Sequence, residues 1–284
     1  MDSFSKIIWS NLSVFTKAVD KEEEKKLLDN ISFCIQSGEW VQLYGRNGSG
    51  KSTLLKLLAG FERYRVEGTQ RVNRPEQLAQ AHLIPIVLQQ PSSGLIGSTC
   101  WEDVVLMMEQ HQVGQPHMLD RAEQVFKQLG LEPILHQPLE ALSGGQQQLA
   151  AIAGAAAVSS DLLLMDEVTS MLDKQAAQLV LTRMRELNKQ GVTVIWATQQ
   201  MEEAVRGDHV IALDQGRIVF NGPASQWFAR DAHNRQGSSP CEEYGFEAPY
   251  AVQIAWQLAD KGIELHQLPL NMDELKAEVY SYEY

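Results

Sequence analysis

Nine consecutive residues, Gly45-Arg46-Asn47-Gly48-Ser49-Gly50-Lys51-Ser52-Thr53, restrict what this chain can fold into more than any other stretch. They fit G-x-x-x-x-G-K-[ST], a loop that wraps the phosphates of a nucleotide. Glycine at 45, 48 and 50 allows backbone conformations that a Cβ would block, so successive N–H groups can converge on phosphate oxygens. Lys51 brings a positive charge for the outer phosphates, and Ser52 a hydroxyl for Mg²⁺. The flanks give the pattern its weight. Trp40-Val41-Gln42-Leu43-Tyr44 reads as a strand, and Ser52 to Leu58 as a helix whose positive N-terminal end favours an anion.

Buried strands that end in polar residues recur along the chain. Leu162-Leu163-Leu164-Met165 is a continuous apolar run typical of a parallel strand, and it ends in Asp166-Glu167. Two carboxylates at a strand end beside a phosphate loop can divide the work. Asp166 can hold Mg²⁺ through water, while Glu167 orients or deprotonates an attacking water. The bland alternative is a surface acidic pair. Val192 to Ala197 is another buried strand, ending in Thr198-Gln199-Gln200. Leu83 to Leu88 is a shorter one, stopped by Pro91, which leaves Gln89 at a strand end, where parallel sheets form their sites.

Upstream, residues 7–15 and 31–35 read as strands joined by the charged segment Asp20 to Lys26, a solvated loop by its mixed signs. Phe15 ends the first strand, and its ring either stacks on a base or packs in the core. Thr99-x-x-Glu102 resembles a capping box opening a helix through about Gln110. Ala122, Val125, Phe126 and Leu129 form one face of the next helix, with Gly130 as its C-terminal cap. These helices interrupt the strand–helix alternation and suggest an inserted helical subdomain, about 92–158. Leu142-Ser143-Gly144-Gly145-Gln146 precedes a helix of small residues, Gln147 to Ala157, and is a second anion-ready helix start. Ala176, Val180, Met184 and Leu187 form a stripe that packs on the sheet. Asp214-Gln215-Gly216 is a hairpin signal between Asp208–Asp214 and Arg217–Phe220. The alternation defines a three-layer α/β domain with a mainly parallel sheet.

Composition removes several alternatives. The chain has 284 residues, 44% hydrophobic and 21% charged, ordinary for a globular protein, and its apolar runs are too short to cross a bilayer. A net charge of −12 argues against broad binding to nucleic acid or an anionic membrane. Cys34, Cys100 and Cys241 are scattered and form no disulfide or metal framework, which suits a reducing cytosol.

Taken in order over residues 6–230, these motifs closely resemble the ATP-binding subunit of an ABC transporter. Walker A is Gly45–Ser52, the Q-loop glutamine Gln89, and the signature Leu142–Gln146. Walker B is Leu162–Asp166 followed by Glu167, and the D-loop is Ser170-Met171-Leu172-Asp173. The resemblance implies an ABC ATPase fold: a mainly parallel core sheet, an antiparallel β subdomain and an inserted helical subdomain. It also implies ATP and Mg²⁺ as ligands, with Gly45–Thr53 and Phe15 on the nucleotide, Ser52, Gln89 and Asp166 on the metal, and Glu167, Gln89 and Gln199 in catalysis. Two subunits, identical or related, would close head to tail, so that Ser143, Gly144, Gly145 and Gln146 complete the partner's site.

A narrower resemblance, to energy-coupling-factor ATPases, comes from Gln89-Gln90-Pro91-Ser92-Ser93-Gly94-Leu95-Ile96-Gly97-Ser98-Thr99 with Glu102-Asp103-Val104, and from Gly245 to Ala255 and Leu268 to Leu275. It implies an importer for a vitamin or transition-metal ion, peripheral to the cytoplasmic membrane face and reaching the membrane only through partners; the alternatives are the ATPase of another ABC importer, or a catalytically degenerate regulatory half of a heterodimer. A transmembrane coupling protein would touch the helix near Glu102 and Asp103; in the plainer reading both carboxylates merely favour the helix start. Residues 1–232 would form the ATP-binding domain and 233–284 a linker with a helical extension. There Pro249 starts a helix with Ala251, Ile254, Ala255 and Leu258 on one face, closed by Gly262, and Asn271-x-x-Glu274 caps another. This pair is too small to fold alone and docks either on its own domain or on the second ATPase. The pattern departs from the family at four positions. Gln199 replaces the switch histidine, keeping a donor but no charge, which implies reduced turnover; Val168 replaces a proline, Leu149 an arginine, and Thr16 the tyrosine of the adenine loop, with Phe15 the nearest substitute.

Overall fold

The computed structural model describes residues 6–17, 24–61, 64–73, 84–90, 94–158, 161–230 and 237–282. The chain begins with two antiparallel strands, Lys6–Thr16 (β1) and Lys26–Gln36 (β2). Their inward faces alternate, with Ile7, Trp9, Leu12 and Val14 against Leu28, Ile31, Phe33 and Ile35. The change of phase between Trp9 and Leu12 is a bulge, and Asn11 there adopts φ 51°. Of the charged segment expected as a loop, residues 20–23 lie outside the described residues, and Lys26 already belongs to β2.

Trp40–Gly45 (β3) leads through the phosphate loop into Lys51–Ala59 (α1), and Tyr64–Asn73 (β4) then returns to pair with β1. Nothing in the sequence marks β4, whose Gln, Arg and Glu residues dilute any period-two pattern. The strand expected over Leu83 to Leu88 is confined to Ile86–Val87 (β5), with Leu83 and Pro91 outside the described residues. Cys100–Gln110 (α2), Gln115–Leu129 (α3) and Gly144–Val158 (α4) follow before Leu162–Asp166 (β6). Thr99 caps α2 as expected, accepting from Glu102 N at 3.2 Å. The Glu102 carboxylate, however, accepts from Ser98 N rather than closing the box on Thr99.

Lys174–Lys189 (α5), Thr193–Thr198 (β7), His209–Asp214 (β8) and Arg217–Pro223 (β9) complete the sheet. Its order is β5-β6-β7-β3-β8-β9, parallel except for β9. The β8–β9 turn carries positive φ at Gln215 (45°) and Gly216 (79°), as a two-residue hairpin requires.

Because neighbouring residues point to opposite faces, each strand feeds two layers. Val41, Leu43, Ile195, Ala197, Ile211 and Leu213 pack with α1 and the antiparallel sheet. Trp40, Val194, Trp196, Leu163 and Met165 face α4, the helical insertion and α5, whose Val180, Met184 and Leu187 are buried as expected. The same face continues across β3 and β8 through Tyr44, Val210 and Ala212, and there it meets the C-terminal segment. That segment comprises Ala224–Trp227 (α6), Pro240–Glu243 (α7), Tyr250–Asp260 (α8) and Met272–Tyr282 (α9).

The extension is therefore docked on its own chain. Trp227, Phe228, Cys241, Val252 and Leu270 are all fully buried. The buried face of α8 is Ala251, Val252, Ala255 and Trp256, which corrects the expected Ala251, Ile254, Ala255, Leu258 stripe by a rotation about the helix axis. Trp256 sets that rotation: its indole donates to Phe228 O at 3.2 Å, and the Arg230 guanidinium lies 4.3 Å over its ring. Asn271 caps α9 through Glu274 N at 2.9 Å, and Glu274 pairs with Arg206 at 3.1 Å. The expected boundary at residue 232 lies outside the described residues.

Candidate functional site

Parallel pairing brings the polar strand ends together. In the sheet β7 lies between β3 and β6, and Ala197 stands beside both Leu43 and Asp166. Gly45, the start of α1, Asp166, Glu167 and Gln199 thus share one edge. Within the loop, Gly48 (φ 80°) and Gly50 (φ 111°) occupy left-handed backbone. A Cβ on Gly45 would stand 2.2 Å from Ser49 Oγ, and one on Gly50 2.5 Å from Leu28 Cδ2. No side chain caps α1, so its leading N–H groups remain for an anion.

Lys51 is buried; its ammonium donates to Gly45 O at 2.6 Å and pairs with Glu167 Oε1 at 3.1 Å. Gln199 Nε2 donates to the same carboxylate oxygen at 2.9 Å and to Asn47 Oδ1 at 3.1 Å. One carboxylate thus collects a cation from the loop and an amide from the end of β7. Glu167 adopts φ 53°, which costs roughly 1–2 kcal/mol in a residue with a Cβ. Its N–H bonds to Ala197 O at 2.8 Å, and its carbonyl accepts from the Ser170 hydroxyl at 2.7 Å. These bonds hold the strained backbone in place. An incoming phosphate would compete for Lys51 and leave Glu167 oriented by Gln199 with its proton-accepting capacity free.

Burial pushes the Asp166 carboxyl above the ordinary range; a hydrogen bond from Ser52 opposes this and the Glu167 charge adds to it. A desolvated carboxylate beside a hydroxyl is a hard-oxygen pair that fits Mg²⁺, with the Gln89 amide oxygen a third donor of the same kind. Gln89 lies two residues past Val87, which pairs with Met165, so it follows beside Asp166 and Glu167. Its side chain makes no hydrogen bond among the described residues.

Two sequence-derived candidates sit apart from this cluster. Phe15 is half-buried, with the Arg65 guanidinium 4.1 Å and the Lys26 ammonium 5.5 Å from its ring centroid. A base stacking there would share the ring with those cations. The helix headed by the signature begins at Gly144, three residues earlier than expected, because Ser143 and Gln146 cap it reciprocally. Ser143 N donates to Gln146 Oε1 at 2.9 Å, and Gln146 N to Ser143 Oγ at 3.4 Å. Gly144 lies against Leu172, just before α5, and Gly145 against Ala176 in its first turn, where a Cβ on Gly145 would come 2.8 Å from that of Ala176.

Asp103 faces inward, contrary to its expected surface role. It is 1% exposed, and its Oδ1 accepts from Ile96 N at 2.7 Å and Gly97 N at 3.0 Å. It anchors the loop before α2, whereas Glu102 stays exposed. Two buried connectors carry no mark in the sequence. Gln148 on α4 donates to Leu88 O at 3.2 Å, tying the helix behind the signature to the residue before Gln89. Glu203 accepts from the Thr169 hydroxyl at 2.6 Å and the Trp196 indole at 2.7 Å, joining the segment after Glu167 to β7. Nothing in Glu202-Glu203 marks which carboxylate turns inward.

A glycine cradle at a strand-to-helix turn, facing a strand-end Asp-Glu pair, is the geometry of a P-loop nucleotide-binding ATPase. The comparisons narrow that class. The profile described as "ABC transporter" matches residues 28–170. An energy-coupling factor transporter ATP-binding protein of Geobacillus kaustophilus is 33% identical over 260 residues, covering 89% of this chain and 90% of the relative. The structure of cbiO1 from Clostridium perfringens, part of the ABC transporter complex cbiONQ, is 25% identical with a TM-score of 0.67, over 80% of this chain and 91% of the other. A post-hydrolysis state of the ATP-binding cassette MJ0796, bound to ADP and Pi, is 27% identical with a TM-score of 0.62, over 77% and 98%. This chain belongs to the ABC transporter family. It is an ATPase of that family, with ATP and Mg²⁺ as its ligands, and is similar to the energy-coupling factor ATPases.

Proposed function

We propose that the chain powers an energy-coupling-factor importer for a vitamin or transition-metal ion, working as one half of a head-to-tail ATPase dimer. The observation that carries the catalytic part is the convergence of Lys51 and Gln199 on Glu167 Oε1. In this reading Glu167 takes the proton of the attacking water and Gln199 holds the carboxylate in position. Lys51 and the N–H groups of residues 45–53 bind phosphates. Ser52, Asp166 and Gln89 hold Mg²⁺, which supplies charge neutralisation at the phosphates. Gln146 and Ser143 cap α4 and present the exposed Ser143-Gly144 corner to the partner's nucleotide.

The coupling protein would dock on α2 at Glu102. Leu106, one turn along the same face, and Ile96 in the preceding loop are 37% and 54% exposed, an acidic and apolar surface suited to a basic amphipathic partner helix. Among the described residues no helix is long and apolar enough to cross a membrane. In this reading the chain lies at the cytoplasmic face and reaches the membrane through that partner. Gln199 carries no charge, which also favours a second reading, the slower half of an unlike pair.

Cysteine cross-linking separates these readings. Asn47→Cys and Ser143→Cys chains, each in a Cys34→Ser background, are mixed with Mg²⁺-ATP. Disulfide-linked dimers that need nucleotide support a symmetric sandwich. Linkage only to the matching position of a related cassette supports the unlike pair. No linkage in either case removes the head-to-tail arrangement.

A further inference from the structure

Arg46 is the second residue of the phosphate loop, yet its side chain reaches to the C-terminal extension. Its Nη2 donates to Gly245 O at 2.7 Å, across 199 positions of sequence. Gly245 closes the turn after α7, with its N–H on Glu242 O at 2.9 Å and Phe246 N–H on Cys241 O at 3.0 Å. The left-handed backbone of the turn favours glycine. Its φ is 67°, and a Cβ there would stand 2.6 Å from Arg46 Nη2.

A second link runs in parallel. Tyr44, just before Gly45, stacks on Trp227 at 6.4 Å, and Trp227 meets Phe246 edge-on at 5.7 Å. The residues on either side of Gly45 therefore reach two consecutive residues of the extension. The links differ in kind. Tyr44 and Trp227 are fully buried and fix where the extension sits, whereas Arg46 is exposed and its contact can be remade.

We propose that Arg46 is a positioning residue that couples occupation of the phosphate loop to the C-terminal extension, so that bound nucleotide tightens the turn at Gly245. The inference rests on the nucleotide-binding reading above. When N–H groups of the loop close on phosphate, the backbone that carries Arg46 is fixed, and holding Gly245 then costs less conformational entropy. Linkage makes the effect reciprocal: an anchored Arg46 pre-orders the loop and favours nucleotide by the same factor. A solvent-facing hydrogen bond from a charged group carries a modest coupling, about threefold to tenfold.

The test is hydrogen exchange on the full chain with and without Mg²⁺-ADP, with ADP binding measured on the same samples. ADP fills the loop without a third phosphate, so changes at the turn are read without a hydrolysable ligand. In the unaltered chain the Gly245 and Phe246 amides should exchange about threefold to tenfold more slowly with ADP. Arg46→Ala should lose that slowing and weaken ADP by a similar factor, raising KM for ATP more than it lowers kcat. Arg46→Lys, which keeps a donor, should recover part of both. Gly245→Ala, which leaves the loop sequence untouched and strains the turn at its φ of 67°, should also lose the ADP-dependent slowing, which separates uncoupling from damage to the loop itself. ADP binding that leaves residues 245–246 unchanged, or equal slowing in Arg46→Ala, overturns the coupling. Failure of the unaltered chain to bind ADP would overturn the nucleotide reading and this inference with it.

Discussion

At position 199 an amide nitrogen stands 2.9 Å from Glu167 Oε1 and 3.1 Å from Asn47 Oδ1. An amide donates without gaining a proton, so it can orient Glu167 but brings no charge to a phosphate. Removing the donor with Gln199→Ala should lower ATP turnover about 10²-fold. Gln199→His should introduce an acid-side change in rate near the ordinary histidine pKa of about 6.5. Superimposable pH–rate profiles for the unaltered chain and Gln199→His would take residue 199 out of the reacting geometry.

Asp166 is governed by burial instead. Its pKa is raised, chiefly by desolvation, so the unfolded chain ionises at lower pH than the folded one. The resulting loss of stability grows as pH rises from the unfolded to the folded pKa and is absent below both. Thermal unfolding of nucleotide-free Asp166→Asn should therefore show a higher Tm than the unaltered chain at pH 7.5. The gain should shrink as the pH falls toward 4, while Mg²⁺-dependent nucleotide binding is weakened throughout. A Tm advantage independent of pH would mean that ionisation of Asp166 is not its source.

Among the elements, the C-terminal helices show how docking controls chemistry. Burial pushes the Cys100 thiol up to about 11 and the Cys241 thiol up to about 12, while Cys34 is only half-buried. Thiolate is the reactive form, so iodoacetamide at pH 8 should label Cys34 first and Cys241 only when the extension opens. Labelling of Cys241 at the rate of Cys34, read by peptide mass spectrometry, would contradict the docked arrangement. The same elements show what was legible in advance. The Gly, Lys and Ser of the loop and the apolar run before Asp166 announce themselves, because geometry there demands particular residue types. The caps at Thr99 and Asn271 were legible for the same reason. The face of α8 was not, because Trp256 packs on Phe228 and Arg230, contacts far apart in sequence. Nor was the inward turn of Asp103, whose partners are the backbone N–H groups of Ile96 and Gly97 and so leave no mark in residue type.

Across the whole molecule, the parallel sheet gathers the phosphate loop, Asp166, Glu167 and Gln199 onto one edge, and α4 carries the signature away on the helical insertion. The extension lies on the sheet face behind Tyr44, tied to Arg46 and Arg206. With Glu167 as the proposed base, this edge would hydrolyse ATP. Steady-state ATP turnover of Glu167→Gln beside the unaltered chain, each supplied with its partner cassette and with ATP binding recorded in parallel, checks that role. Binding should be retained and turnover should fall by about 10²–10⁴-fold, the contribution expected of a general base. Retained binding with undiminished turnover would contradict it.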